Sequence, residues 1–340
     1  MNKPHIRLDE VILMRCVLAL LIVFMHSFTC YDGNWRTPEG YIDIPLYKWL
    51  SRISFAFTLE AFVFISGYLY AFQRITLKRV GGVIISKLKR LLLPCVIFST
   101  AYYIIFLSYK SCGNLIYSIL SGCGHMWFLP MLFWCYLGGW LLVQLKIKDS
   151  LKIIFLIILN LMIIVPLPLR ISNAATYMIY FYAGYLLYCH KEYIRSHITL
   201  DNLAIGWIFF IIVFSFFRPL VDVMIYADDS SQTFKLGILI VRNGFHLIYA
   251  TMGVIVFYCT AIYFVQRNQI NAFIIKLSTY CFGIYLFQQF VLQLLYYNTD
   301  VPSLIGPYWL PWCGFIIATL ISYVLTNLLM KTRIGKYLIG

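Results

Sequence analysis

The sequence predicts an all-α integral membrane protein of about ten transmembrane helices. Three observations carry this. Of the 340 residues, 62% are hydrophobic and the mean hydropathy is +0.82, whereas soluble domains lie nearer ~45–50% apolar. Only 12% are charged, too few to clothe a soluble surface of this size, so the surplus apolar surface needs lipid as its solvent. Apolar runs of about 17–22 residues recur, each enough to cross roughly 30 Å of hydrocarbon as a helix. The alternating ten-residue segments of a membrane barrel do not occur.

Helices are expected at about 11–29, 53–73, 91–109, 127–145, 151–168, 174–190, 203–218, 246–265, 279–298 and 309–330. The fifth closes early because Pro166 and Pro168 cannot continue a helix. The first runs on without an A-x-A-like cleavage site and is expected to be retained. No internal repeat, low-complexity tract or soluble appendage interrupts the pattern, so residues 1–340 are expected to form a single membrane domain.

The formal net charge is +14. Its distribution along the chain matters more than its sign. On alternate sides of ten spans, Lys and Arg number 18 and 8, and Arg15 inside the first span completes the 27. The positive-inside rule puts the richer side in the cytoplasm. Both termini are therefore expected inside, with the chain multi-pass in the cell (inner or plasma) membrane. The basic face would meet anionic lipid of the bilayer or an anionic cytoplasmic ligand, and no nucleic-acid partner is expected. Seven of the ten cysteines fall within spans, where a small apolar thiol is ordinary packing. Cys112 and Cys123 share an expected outer loop, an arrangement open to a disulfide in an oxidising compartment. No CxxC pair is present, and no metal site is expected.

Ionisable groups within spans are costly and are functional candidates by default. Three stand out. Arg15 and His26 share the first helix, eleven residues apart. At ~100° per residue this leaves them ~20° apart around the helix and ~16 Å apart along it. One face thus carries a cation near the cytoplasm and a titratable base towards the outside. The bland alternatives are a snorkelling arginine and a packing histidine. Glu60 is the third, the one carboxylate well inside a span. It is expected near the level of His26, which it would orient and polarise as a carboxylate does a catalytic imidazole; the alternative is a surface pair with Arg52 or Arg36. The loop 74–90 ends in KLKRLLLP (87–94), whose Lys87, Lys89 and Arg90 anchor topology and can also donate to phosphate. Outside the membrane, 219–245 is the longest expected outer connection; it holds Asp222, Asp228, Asp229 and Arg242 and would line an entrance for substrate. Trp35, Tyr41, Tyr226, Trp309 and Trp312 are expected at the outer side, mostly as interfacial belt residues.

These segments resemble the acyltransferase-3 family of integral membrane acyltransferases. LDEVILMRCVLALLIVFMHSF (8–28) is similar to its opening helix, with Arg15 and His26 at the family's Arg-x10-His spacing. EAFVFISGYLY (60–70), KLKRLLLP (87–94), GHMWFLPMLFWCYL (124–137) and KLSTYCFGIYLFQQ (276–289) follow in the family's order. Two departures are present: Gln288 stands where the late helix often carries His, and Pro130-Met131-Leu132 replaces a Glu found in some members. The secreted esterase-like domain that some members append is not expected.

The resemblance implies transfer of an acyl group, acetyl by default, from cytoplasmic acyl-CoA to a carbohydrate hydroxyl. Acyl-CoA is a donor substrate, with no permanently bound cofactor. Arg15, Lys87, Lys89 and Arg90 would hold the donor's phosphates, His26 would take the hydroxyl proton, Glu60 would support it, and Trp127 and Arg242 would bind the acceptor. The competing reading is a polysaccharide or small-molecule transporter or flippase, for which intramembrane Arg, His and Glu would also serve. Neither two similar halves nor paired broken helices favour it. A non-catalytic scaffold would tolerate loss of Arg15 and His26. The oligomeric state is open.

Overall fold

A computed structural model describes residues 7–76, 80–107, 114–163, 166–225 and 232–339. Among these the regular structure is helical. The helices are α1 (Asp9–Phe28), α2 (Pro45–Phe55), α3 (Thr58–Thr76), α4 (Val80–Lys87), α5 (Leu93–Tyr102), α6 (Leu115–Ser121), α7 (Phe128–Gln144), α8 (Asp149–Met162), α9 (Ile171–Cys189), α10 (Lys191–Arg195), α11 (Leu200–Ile225), α12 (Gln232–Arg267), α13 (Ala272–Tyr297), α14 (Val301–Ile305), α15 (Leu310–Met330) and α16 (Arg333–Ile339). Every expected span coincides with a helix. Among the described residues, seven helical segments, some running through joined helices, are long and apolar enough to cross a membrane. Three expected spans fall outside that set for different reasons. α8 has 14 residues, about 21 Å and short of the ~30 Å core. α9 and α13 are long enough, but tyrosines dilute the first and Gln288, Gln289 and Gln293 the second.

The sequence accounts for local features. Asp9 and Glu10 lie in the first turn of α1, where the helix dipole favours negative charge. Pro45 opens α2 at a position that needs no N–H. Pro94 lacks the N–H that would bond Arg90, and the preceding Leu88–Leu92 widens into a π-helical turn, with Leu93 N bonding back to Leu88 O. The expected outer loop 219–245 is a correction. α11 continues through Pro219 to Ile225, supported by an Arg218–Asp222 ion pair at 3.2 Å one turn apart, and α12 begins at Gln232. Arg242 is therefore a helical residue. Asp228, Asp229 and Tyr226 lie outside the described residues, as does Cys112, and with it the Cys112–Cys123 bridge. The loop 74–90 is likewise largely helix, at the end of α3 and in α4.

The described chain clusters into two compact units, each assembled from separated stretches. The first holds 1–58, 191–210 and 252–327. Within it α1 packs along α13. Cys16 Sγ meets Ile274 O (3.4 Å), His26 meets Gln288, and Ser27 O accepts from Tyr296 Oη (2.7 Å). Both helices advance together through these pairs, so they are parallel. α15 turns Gly314, Ala318, Ser322 and Thr326 inward at a four-residue repeat, while Ile316, Leu320 and Val324 are exposed for lipid. Small residues at such a seam let helices approach closely. The Thr326 side chain occupies the space a Cβ on Gly283 of α13 would need. Phe28, Tyr47 and Trp312 pack edge to face at 5.1–6.3 Å, and Trp312 Nε1 donates to Tyr47 Oη (3.1 Å).

The second unit holds 59–190, 211–251 and 328–340. Its closest seam joins α3 and α9 through reciprocal glycines. A Cβ on Gly67 would lie 1.8 Å from Phe181 O, and one on Gly184 would lie 2.0 Å from Phe64 O. α8 ends within its apolar run. Asn243 of α12 donates to the released carbonyls of Asn160 and Leu161, both at 3.3 Å, and Asn160 Nδ2 donates to Thr176 O (2.8 Å). The chain then turns through Leu169 (φ +51°) and Arg170 (φ +67°), a left-handed conformation that side chains disfavour.

Candidate active site

In the first unit α1 is one uninterrupted helix, so the shared face of Arg15 and His26 follows from its periodicity. Both side chains are half-buried. Arg15 lies within electrostatic range of Cys16 and of Cys281 on α13. Towards the cytoplasmic end expected for α1, the buried Glu10 carboxylate accepts from Arg195 (3.4 Å), whose backbone carbonyl accepts from Gln266 (2.9 Å).

At the other end of the stripe, His26 Nδ1 lies 3.0 Å from Gln288 Nε2. Gln288 is fully buried, and its Oε1 has no hydrogen-bond partner. With Nε2 facing Nδ1, the amide donates and the imidazole carries its proton on Nε2. Half a turn of the carboxamide presents Oε1 to an Nδ1–H instead and frees the Nε2 lone pair. No other bond to Oε1 resists that rotation. The indole of Trp35 stacks on the imidazole at 5.8 Å with 9° between planes, and Tyr296 lies edge-on to Trp35 at 6.5 Å. Arg36 lies over the Tyr297 ring at 4.6 Å, and its carbonyl accepts from Tyr297 Oη (2.6 Å). The segment carrying Trp35 is thereby tied to the end of α13. Trp35 was expected at the outer side; its place against the imidazole required the fold.

In the second unit Glu60 lies in the first turn of α3 and is 1% exposed. Its Oε1 is 3.3 Å from His246 Nε2 on α12, and its Oε2 has no hydrogen-bond partner. The partner found for Glu60 is thus His246, a residue that sequence reasoning passed over. The signal was available: a histidine opens the apolar run HLIYATMGVIVFY, but at the start of an expected span it reads as a boundary residue. Trp127 precedes α7, with Arg170 over its ring at 6.0 Å and Tyr177 at 6.2 Å. Arg170 also donates to Ser121 O (3.0 Å). Arg242 lies one turn before His246. The basic run divides: Lys87 is buried with its ammonium 4.1 Å from the Tyr136 ring centre, while Lys89 and Arg90 are exposed on the π-helical turn.

A family model described as an acyltransferase domain matches residues 8–330. The chain belongs to the acyltransferase-3 family. No curated protein and no solved structure matches it. Membership of the acyltransferase-3 family makes this membrane protein an acyltransferase for groups other than aminoacyl. The Arg15–His26 helix, the Glu60 segment and the Trp127 segment all lie inside the matched span.

Proposed function

We propose that this acyltransferase moves an acyl group, acetyl by default, from cytoplasmic acyl-CoA to a sugar hydroxyl of a cell-surface or exopolysaccharide-type glycan. The observation that carries the proposal is the stripe on α1: Arg15 and His26 share a face, and His26 is held at Nδ1 by Gln288. Arg15 of the first unit and Lys87, Lys89 and Arg90 of the second are the charge-assisted donors available to the donor's phosphates, Lys87 with its ammonium over the Tyr136 ring. The acyl arm extends along α1 towards His26. A sugar hydroxyl is a weak nucleophile at neutral pH and needs a base.

With Gln288 Oε1 accepting from Nδ1–H, His26 Nε2 takes the hydroxyl proton as the oxygen attacks the thioester carbonyl. The C–S bond then breaks, and the departing thiolate takes the proton from the imidazolium. The ester and the free thiol result, with no proton left over. In a two-step version His26 Nε2 attacks the thioester first and the C–S bond breaks, leaving an acyl-imidazolium and the thiolate. The hydroxyl oxygen then attacks the acyl carbon, its C–N bond to Nε2 breaks, and the hydroxyl proton passes to the thiolate. Trapping of acylated His26 in a rapid acid quench separates the two.

The decisive experiment is deletion of the gene followed by mass analysis of cell-surface glycans. Loss of one acetyl mass per modified sugar, restored by wild type and not by His26→Ala, supports the proposal. Glycans unchanged by deletion, with labelled acyl-CoA left intact by the purified protein, would overturn it.

A further inference from the structure

The polar cluster around Glu60 belongs to none of the donor machinery above. Glu60 is buried in an apolar helix, has its Oε1 3.3 Å from His246 Nε2, and keeps Oε2 without a donor. A buried carboxylate oxygen without a protein donor is costly, and intramembrane carboxylates are kept for use. Its surroundings are aromatic. The Tyr249 ring lies 5.1 Å from that of His246. Tyr177, Tyr180 and Tyr249 are all within electrostatic range of the Glu60 carboxylate, and Trp127 adjoins Tyr177. His246 is 33% exposed and gives the pair an approach. The left-handed turn at Leu169 and Arg170 delivers Arg170 onto Trp127, and strained backbone of this kind concentrates at ligand clamps. Arg218 and Arg242 act electrostatically on His246 and disfavour a bare metal cation as the missing donor.

We propose that Glu60 and His246 form a hydroxyl-binding site for a polyhydroxylated ligand. Glu60 Oε2 accepts from a ligand hydroxyl, His246 fixes the carboxylate through Oε1, and the faces of Tyr177, Tyr249 and Trp127 wall the C–H faces of the sugar ring. A few polar groups converging on an aromatic wall are the usual makings of such a site. The inference rests on the carbohydrate acceptor proposed above and names the residues that hold it. It gives Glu60 a binding role, separate from proton transfer at His26.

The test uses full-length enzyme in detergent, glycan isolated from the deletion strain, and acetyl-CoA, with each substrate varied separately. Glu60→Gln and His246→Gln are each expected to raise the acceptor KM at least about tenfold, the loss of one hydrogen bond to a charged group. The KM for acetyl-CoA should stay within about twofold. Trp127→Ala should follow the same pattern. An acceptor KM unchanged in the folded variants, or both KM values rising together, overturns the assignment while leaving the proposed reaction intact. Thermal unfolding followed by tryptophan fluorescence reports folding, and if Glu60→Gln does not fold then His246→Gln decides. A wild-type enzyme that acylates no glycan overturns the proposed function, and this site with it.

Discussion

Gln288→Met removes both hydrogen-bonding ends of the amide while nearly conserving its volume, so it isolates what Gln288 does for His26. The amide lies 3.0 Å from Nδ1 and is fully buried, so water cannot replace it. In the ground state the bond joins two neutral groups, worth about 0.5–1.5 kcal/mol net. When His26 takes a proton the same bond joins an amide oxygen to an imidazolium N–H, and such bonds reach about 1.5–3 kcal/mol. The differential loss, transition state less ground state, is therefore expected at roughly 1–1.5 kcal/mol, a fall of about 5- to 13-fold in kcat/KM. Because the bond strengthens only as charge develops, kcat should carry most of the fall and the KM for acetyl-CoA little. Gln288→Glu retains an acceptor oxygen at the same place and should lose less than Gln288→Met. The assay is release of free thiol from acetyl-CoA in the presence of acceptor. Wild-type kcat in a folded Gln288→Met enzyme would refute the proposed coupling of Gln288 to His26 chemistry.

Other outcomes follow from the same geometry. His26→Ala should abolish transfer while the protein still inserts and binds acetyl-CoA, read by complementation of glycan acylation and by donor protection against thermal unfolding. Gly67→Ala would force a Cβ to within 1.8 Å of the Phe181 carbonyl oxygen; backbone cannot yield as a side chain would, so a loss of at least about 1–3 kcal/mol is expected, seen as a lower unfolding temperature. Asn243→Leu strips the donor from the Asn160 and Leu161 carbonyls and should cost about 1–3 kcal/mol in the same assay. Asp149 accepts from Tyr182 (2.6 Å) and pairs with Lys152 (3.3 Å), and these hold its carboxyl below the ordinary value of 3.8, the Tyr182 bond first. A lowered folded-state value adds stability that is present above pH ~4 and is lost as the pH falls through the folded value. The difference in unfolding temperature between wild type and Tyr182→Phe should therefore hold steady above that pH and shrink below it.

Much of this was legible in the sequence because the bilayer imposes a simple constraint. A helix must be apolar for most of its length, and ten such runs were visible. The stripe of Arg15 and His26 needed only helical periodicity. The seventh span was expected to close at 218, whereas α11 runs on through Pro219 to Ile225, stitched by the Arg218–Asp222 pair. The partner of Glu60 was hidden for a different reason. Helix period says which residues share a face, but not which of many helices that face meets. Glu60 could be singled out by charge alone; its union with His246 of α12 is a tertiary fact. The same holds for Gln288, noticed as a departure from family pattern before its place beside the imidazole was known. The π-helical turn at Leu88–Leu92 was encoded in Pro94, whose missing N–H frees the carbonyl of Arg90.

The contact between His26 and Gln288 spans 262 residues of chain. During synthesis the first helix enters the bilayer long before its parallel neighbour exists, and the imidazole waits without its amide. A contact so distant in sequence forms late and at a large loop-closure cost. Nascent or prematurely terminated chains lacking α13 would carry His26, the proposed base, without the Gln288 amide that contacts it. On the proposed mechanism, acyl transfer therefore waits until almost all of the polypeptide has been threaded into the membrane.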